Sequence, residues 1–333
     1  MFSSGQGRQS MRRRKFIGLA GISVAAWAAR LARSQATGQP RKIGYLHPFT
    51  IDPRLVILTG LLKRGRELGY IEGETILLRS AQGDLSRLPD LARELVDLGV
   101  GVLIVVGLPA TTAALSAAPD LPVVAIDLET DPIKAGFIDS WAKPGRNLTG
   151  LFLDQTSLTG KLVTLMGEVV PGLRKLAIVW DPSTRPDQLE AARIAAGAAG
   201  LETQTLTLSK PEEFRDAFAK LESTSGVLLL ISPTLTANPG LFAAAALEFR
   251  LPSISIWKPN AKAGGLLTYG PVLGPYFPRA MTMADTILKG TRPGDIPIEG
   301  PDRYELVINL KTAGQLGIEV PPSIAATADE TIE

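Results

Sequence analysis

The chain has 333 residues, no cysteine and a formal net charge of +2 at pH 7. The lack of cysteine excludes disulfide bonds, a thiol nucleophile and a lipid-modified N-terminal cysteine. Seven of the 35 basic residues and none of the 33 acidic ones fall within residues 1–36, which leaves 28 basic against 33 acidic residues in the remainder. This acidic remainder gives no reason to expect nucleic acid or an anionic membrane as a partner.

Residues 1–36 have the pattern of an export signal. The basic run Arg12–Lys15 precedes the apolar stretch Phe16–Ala29, and Ser34-Gln35-Ala36 supplies the small residues of a signal-peptidase site. The apolar stretch is shorter than the roughly 20 residues that span a bilayer. Arg13-Arg14-Lys15-Phe16-Ile17 resembles a twin-arginine signature, with an ordinary Sec signal as the alternative. We therefore predict cleavage near Ala36 and a periplasmic mature protein without a lipid anchor.

Short apolar runs then alternate with helical segments. Runs rich in Val and Ile are typical of strands buried on both faces of a parallel sheet. The predicted strands are Lys42–Leu46, Thr75–Arg79, Val102–Val106, Val123–Asp127 and Leu148–Leu153. The predicted helices are Pro53–Leu68, Ser86–Leu98, Pro109–Ala117 and Pro132–Ala142.

The same alternation repeats after residue 175. Two series of about 110 residues each predict an α/β protein with two similar lobes, each built on a parallel sheet. The predicted strands of the second lobe are Leu176–Trp180, Thr203–Leu208, Val227–Ile231 and Ser253–Trp257. Its predicted helices are Gln188–Ala199, Pro211–Leu221 and Leu241–Phe249.

The C-terminal part does not continue this regular alternation of strands and helices. It contains a short strand within Gly264–Pro271, a helix Tyr276–Leu288, a strand Tyr304–Leu310 and a helix Thr312–Leu316. Two strand–helix pairs after two complete lobes predict that the chain crosses back between the lobes. Crossings of this kind form a hinge that supports closure around a ligand.

Ligands of open parallel sheets bind beyond the carboxyl ends of the strands, which directs attention to the segments after each strand. In Gly107–Thr112, a Pro at the start of a helix with two nearby hydroxyls suits a carboxylate. A phosphate fits less well, because the segment has no Lys, Arg or Gly-rich cradle. Glu129 and Asp131 are candidates for an ammonium group, with helix capping at Pro132 as the alternative for Asp131. The candidates in the first lobe are His47, Phe49, Ala110, Thr111, Thr112, Glu129 and Asp131.

The second lobe offers an equivalent set after its own strands. Trp180 and Trp257 would stack on an apolar ligand or belong to the core. Tyr269 falls on a predicted hinge strand, from which it would line the cleft. The candidates are Trp180, Asp181, Ser232, Trp257 and Tyr269.

The residues give little support for an enzyme. His47 is the single histidine, which rules out a histidine-based metal cluster, and the chain has no GxSxG elbow and no GxxxxGK[ST] phosphate loop. A dinucleotide-binding fingerprint is missing after the first strand, where Gly44–Phe49 stands instead. We predict no catalytic residue, no metal site and no cofactor.

Several longer motifs carry a resemblance to a known family. They are Gly65–Gly73, Asp131-Pro132, Ala142–Gly150, Gly264–Pro271, Tyr304–Ala313 and Ile318–Glu333. Together they resemble the ABC-transporter substrate-binding protein family that includes tryptophan-binding members. The resemblance covers almost the whole mature chain.

This resemblance implies a type I periplasmic-binding-protein fold, in which two Rossmann-like lobes are joined by a three-segment hinge. The lobes would close on a small solute and present it to a membrane permease. The resemblance divides the chain into residues 41–152 plus 272–300 and residues 153–271 plus 301–333, and it implies a monomer. In such relatives the segment matching Gly107–Thr112 holds a carboxylate and the segment matching Asp127–Asp131 helps with the amine. Leu108, His47 and Phe49 depart from the usual residues, which leaves open another carboxylate or an apolar solute with one anionic end.

Two other functions are compatible with the same fold. A sensory subunit would pass the ligand signal to a membrane kinase or chemoreceptor instead of a permease. An exported hydrolase or isomerase would show turnover that depends on His47 or Asp131. A receptor, by contrast, binds its ligand saturably and releases it unchanged.

Overall fold

The computed structural model describes residues 41–51, 56–128, 130–153, 155–236 and 238–333. The predicted export signal, residues 1–36, lies outside these described residues. Within them the chain forms two sheets, each covered by helices. No helix of the described residues is both long enough and apolar enough to cross a bilayer.

The first sheet, which defines lobe 1, has five parallel strands in the order β2-β1-β3-β4-β5. Four of its strands are buried on both faces, which explains their mainly apolar sequences, whereas the edge strand β2 is half-buried and ends in Arg79 and Ser80. The strands are β1 Ile43–His47, β2 Ile76–Ser80, β3 Val102–Val106, β4 Val123–Asp127 and β5 Leu148–Phe152. The helices of this part of the chain are α1 Val56–Glu67, α2 Leu88–Asp97 and α3 Gly107–Ala117.

The second sheet, which defines lobe 2, has seven strands in the order β12-β11-β10-β9-β8-β6-β7. All neighbours are parallel except β10 and β11, which are antiparallel. The strands are β6 Lys175–Trp180, β7 Glu202–Thr207, β8 Ser225–Leu229, β9 Ser253–Ser255, β10 Leu267–Pro271, β11 Tyr304–Asn309 and β12 Glu330–Ile332. The helices that follow α3 are α4 Gln155–Val169, α5 Asp187–Ala198, α6 Phe214–Phe218, α7 Pro233–Thr236, α8 Pro239–Glu248, α9 Lys258–Lys262, α10 Tyr276–Leu288, α11 Leu310–Leu316 and α12 Pro322–Ala325.

The chain passes between the sheets three times. The first connection joins β5 to α4, the second joins β10 to α10, and the third runs from Ile296 to β11. α10 packs in the core of lobe 1 together with Ile43 and Tyr45, although β10 and β11 on either side of it belong to lobe 2. The prediction of two α/β lobes joined by a three-segment hinge is therefore confirmed, while the residue bounds of the two domains remain a prediction.

Backbone hydrogen bonds hold these connections side by side. The Phe152 nitrogen donates to the Glu299 carbonyl oxygen, and the Glu299 nitrogen donates to the Gly150 carbonyl oxygen, both over 3.0 Å. The Val272 nitrogen donates to the Arg303 carbonyl oxygen, also over 3.0 Å. These paired strand ends lie where the chain passes between the lobes, and this is the geometry from which a hinge motion starts.

The predicted helix Pro132–Ala142 is wrong. The Asp131 carboxylate accepts hydrogen bonds from the backbone nitrogens of Ile133 and Lys134, which fixes a single turn. Gly136 then adopts a φ of +72°, and the chain turns away instead of continuing as a helix. The apolar residues that suggest helical spacing here belong to a looped connection between β4 and β5.

α4 is a helix that the sequence reading did not include. Leu158, Leu162, Met166 and Val169 recur at helical spacing along it and are all buried in the core of lobe 2. The glycines and threonines between them have low helix propensity and mask the pattern. Tertiary burial decides the conformation of this segment.

Candidate functional site

A cleft of about 420 Å³ lies between the carboxyl ends of the two sheets. Its volume is within the usual range of sites for small molecules. Lobe 1 and the second connection contribute His47, Pro48, Phe49, Thr50, Val106, Gly107, Ile126, Leu128, Leu273 and Phe277. Lobe 2 contributes Ile231, Thr236, Pro239, Ile256, Trp257 and Pro259.

The strand order of lobe 1 places its cleft-lining residues, which form one wall of the cleft, side by side. β1 ends at His47, its neighbour β3 ends at Val106, and β4 ends next to Leu128, so all three residues meet at one edge of the sheet. α3 begins directly after β3 with Gly107, whose φ of +76° allows the abrupt change from strand to helix. The first turn of this helix therefore starts at the cleft.

His47 is the only titratable side chain among the described residues that line the cleft. Its Nδ1 lies 3.1 Å from the Phe49 nitrogen, which donates to it, and 3.0 Å from the Phe49 carbonyl oxygen. The imidazole stacks on Tyr45 with ring centroids 5.9 Å apart and meets the Phe49 ring edge-on at 6.4 Å. With Nδ1 engaged by the backbone, Nε2 is the nitrogen left to contact a ligand.

The position of His47 makes stability depend on pH. Burial lowers the pKa of His47 below its ordinary value, and a hydrogen bond from the protonated imidazole to the Phe49 carbonyl oxygen acts in the opposite direction. The unfolded chain therefore binds this proton more tightly than the folded protein does. We expect the free energy of unfolding to fall, relative to the His47→Gln variant, as the pH drops through the ordinary histidine range near 6.5.

Two measurements check this expectation. Chemical denaturation of both proteins between pH 8 and pH 5 gives the difference in unfolding free energy. Because His47 is the only histidine of the chain, a single imidazole resonance also reports its pKa directly by NMR. A pKa above 6.5, or parallel pH profiles for the two proteins, would contradict the expected direction.

The wall of lobe 2 comes from two strand ends. Ile231 follows β8 and Ile256 follows β9, the next strand of the sheet. Trp257 caps the start of α9, and its backbone nitrogen donates to the Ser255 hydroxyl over 3.3 Å. Lys258 anchors that helix with ion pairs of 2.7 Å to Glu305 and 2.8 Å to Glu330. These ion pairs and the hydrogen bond to Ser255 hold the backbone that carries the Trp257 indole at the cleft.

Comparison with known proteins identifies this arrangement. A model of the family described as ABC transporter substrate binding protein matches residues 42–332. The chain belongs to this family. The resemblance noted in the sequence is thereby confirmed, and it extends over nearly all the described residues.

Relatives of known structure or function share about a quarter of their aligned residues with this chain. A tyrosine-binding protein of Clostridioides difficile is 25% identical over 265 residues, which cover 78% of this chain and 76% of that protein. A domain from Streptococcus pneumoniae in complex with L-Trp has a TM-score of 0.79 and 24% identity, covering 88% of this chain and 100% of that one. A conserved domain protein from Vibrio cholerae has the same TM-score, identity and coverage. The two structures share the two-lobed fold with this family member.

Three of the predicted binding residues meet in the cleft. His47 and Phe49 stand on the lobe 1 side, and Trp257 stands on the lobe 2 side. Gly107, which belongs to the predicted carboxylate segment, also lines it. Their roles in binding remain predictions.

The rest of the predicted carboxylate segment has another environment. α3 begins at Gly107, two residues earlier than predicted, so Ala110 and Thr111 lie inside the helix and are fully buried. The Thr111 hydroxyl donates to the Gly107 carbonyl oxygen over 2.9 Å. Thr112 is exposed and does not line the cleft. A carboxylate at this point would therefore meet the first turn of α3 and not these hydroxyls.

The two predicted ammonium ligands differ in what the structure describes. Glu129 lies outside the described residues. Asp131 holds the turn after β4 through its bonds to Ile133 and Lys134, and it does not line the cleft. This corresponds to the capping alternative, although the turn it stabilises is not a helix.

Asp181 and Ser232 contact each other instead of the cleft. The Ser232 hydroxyl donates to the Asp181 carboxylate over 2.5 Å, and both residues are buried. Trp180 and Tyr269 pack against the core of lobe 2, where the Tyr269 ring stacks on Tyr304 at 5.7 Å. None of the four lines the described cleft.

The sequence pattern does not indicate most of the apolar residues that line the cleft. In the sequence, Ile231 and Ile256 fall within predicted buried strands and Phe277 falls within a helix far along the chain, yet all three line the cleft. Leu128 is the most informative omission, because its side chain packs against the cores of both lobes as well as lining the cleft. The signal that points to it is its position directly after β4, where the backbone leaves the sheet.

Proposed function

We propose that the protein is the solute-binding receptor of an ABC importer. It captures a small carboxylate-bearing solute, with aromatic or other hydrophobic amino acids as first candidates, and delivers it to a membrane permease. The observation that carries this proposal is a cleft lined by residues of both lobes and placed beside the three hinge connections. Family membership supports the same function.

The two walls favour different parts of such a solute. The lobe 1 wall combines the His47 imidazole with the start of α3, and helix N-termini favour anionic groups. The lobe 2 wall is mainly apolar and carries Trp257, which suits an aromatic or aliphatic body. A solute with a carboxylate at one end and an apolar group at the other fits this polarity.

Closure follows from these contacts. A solute that touches both walls binds the closed arrangement more tightly than the open one, and it shifts the population toward closure by that difference. The permease then recognises the closed receptor. In this proposal the protein acts as an exported monomer in the periplasm, and it needs no catalytic residue, metal or cofactor.

The relatives support the choice of solute class. One is a tyrosine-binding protein, and another was solved in complex with L-Trp. Both solutes combine a carboxylate with a large aromatic ring. His47 and Phe49 depart from the usual residues of the family. The solute could therefore also be a carboxylate that has no amino group.

Calorimetric titration of residues 37–333 with L-tryptophan, L-tyrosine and their deaminated analogues tests the proposal. We expect saturable 1:1 binding of at least one compound with a dissociation constant in the micromolar range or below, and recovery of the compound unchanged. Absence of heat with all aromatic acids, or turnover of any of them, would contradict it.

A further inference from the structure

A buried glutamine lies directly behind the lobe 2 wall. Gln188, on α5, is fully buried. Its Nε2 donates to the Ile231 carbonyl oxygen over 2.8 Å, and the Ile231 nitrogen donates to its Oε1 over 3.1 Å. Nε2 also donates to the Thr184 hydroxyl over 2.8 Å. The amide therefore binds both backbone groups of a residue that lines the cleft.

The neighbouring residues extend this restraint. The Leu235 nitrogen donates to the Ser232 hydroxyl over 3.0 Å, while that hydroxyl donates to Asp181. The Thr236 hydroxyl donates to the Ser232 carbonyl oxygen, and Thr236 also lines the cleft. The side chains of Gln188, Asp181 and Ser232 thus restrain this segment from outside the cleft, and Thr236 adds one bond from within it.

One consequence concerns the polarity of the wall. Since the N–H and C=O groups of Ile231 are both bonded to Gln188, the cleft meets this residue through its aliphatic side chain. A buried peptide group without such a partner is unfavourable in an apolar site unless water or a polar group of the ligand bonds to it. Gln188 therefore keeps a wall apolar that would otherwise expose hydrogen-bonding groups.

We propose that Gln188 is a positioning residue that sets the selectivity of the cleft. By holding the Ile231 backbone, it makes lobe 2 select solutes whose facing surface is apolar and disfavour those that carry a hydroxyl there. The inference rests on the proposed function and adds the residue that defines one wall. An apolar site rejects an added hydroxyl by up to about 100-fold, which sets the scale of the effect.

The test uses L-tryptophan and 5-hydroxy-L-tryptophan as probes. Gln188→Met keeps the length of the side chain and removes both kinds of hydrogen bond, whereas Gln188→Glu keeps the acceptor for the Ile231 nitrogen. Gln204→Met is the matched control, because Gln204 is exposed on β7 of the same lobe. Calorimetry gives both affinities, and hydrogen exchange gives the protection of the Ile231 amide.

We expect Gln188→Met to lose about tenfold in affinity for L-tryptophan and to lower the preference over the hydroxylated probe at least fivefold. Its Ile231 amide should exchange at least tenfold faster, with Gln188→Glu intermediate and Gln204→Met like the wild type. If Gln188→Met does not fold, the same comparisons are made on Gln188→Glu.

The outcomes separate this inference from the proposed function. Unchanged exchange at Ile231 in a folded Gln188 variant, or an unchanged preference between the probes, overturns the inference. Wild-type protein that binds neither probe overturns the proposed solute class and the selectivity role. In that case, faster exchange in the Gln188 variants would still establish the restraint on Ile231.

Discussion

Replacement of Trp257 by alanine is expected to weaken solute binding by roughly 30- to 150-fold, which corresponds to about 2–3 kcal/mol for a central aromatic contact. Trp257 lines the lobe 2 side of the cleft and caps α9. Alanine keeps the backbone groups that bond Ser255 and Asn260, and the ion pairs of Lys258 continue to hold the helix. The loss should therefore come from missing contact with the solute.

Calorimetry with L-tryptophan measures this effect. Trp141→Ala is the control, because Trp141 packs against the core of lobe 1 and does not line the cleft. We expect this control to keep the wild-type affinity, even if its unfolding temperature is lower. If wild type and Trp257→Ala bound L-tryptophan with equal affinity, Trp257 would not contribute to solute binding.

The largest expected effect on stability comes from Gly150→Ala. Gly150 lies on β5 with a φ of +149°, and a Cβ atom there would stand 2.0 Å from the carbonyl oxygen of Ala125 on β4. Backbone atoms of a central sheet cannot move aside without breaking the β4–β5 pairing. We expect a loss of about 4 kcal/mol or more in the free energy of unfolding, and a fall in Tm of roughly 10 °C.

Gly160→Ala provides the matched control for thermal denaturation. Gly160 lies in α4, where an added Cβ would meet nothing within 4 Å. Alanine is favoured over glycine in a helix by about 0.5–1 kcal/mol, so this variant should match or exceed the wild-type Tm. A Gly150→Ala protein as stable as the wild type would show that β4 and β5 do not approach as closely as described.

The fold was predictable from the sequence because each buried strand is a short apolar run between helices. Val102–Val106 and Val123–Asp127 form strands over the predicted residues, and α10 spans the predicted Tyr276–Leu288. The failure at Pro132–Ala142 has a local cause, since the side chain of Asp131 and the backbone of Gly136 outweigh the apolar spacing. Very short elements such as β12 carry too few residues for any periodic signal.

The site was predictable only in outline. The rule that ligands bind beyond parallel strands points to His47, Phe49 and Trp257, which the structure brings together in one cleft. It does not reveal which polar residues bond each other. Asp181 and Ser232 are 51 positions apart in sequence, and their mutual hydrogen bond depends on the pairing of β6 with β8. Likewise, Gln188 looks like an ordinary residue of a surface helix until the fold brings Ile231 to it.

Native mass spectrometry of residues 37–333, purified under gentle conditions, tests the central claim most directly. We expect one small molecule bound per protein chain, released unchanged on unfolding and absent from Trp257→Ala prepared in the same way. A wild-type protein that carries no added mass even after incubation with the aromatic acids would contradict the proposed receptor function. A mass retained equally by Trp257→Ala would contradict it as well.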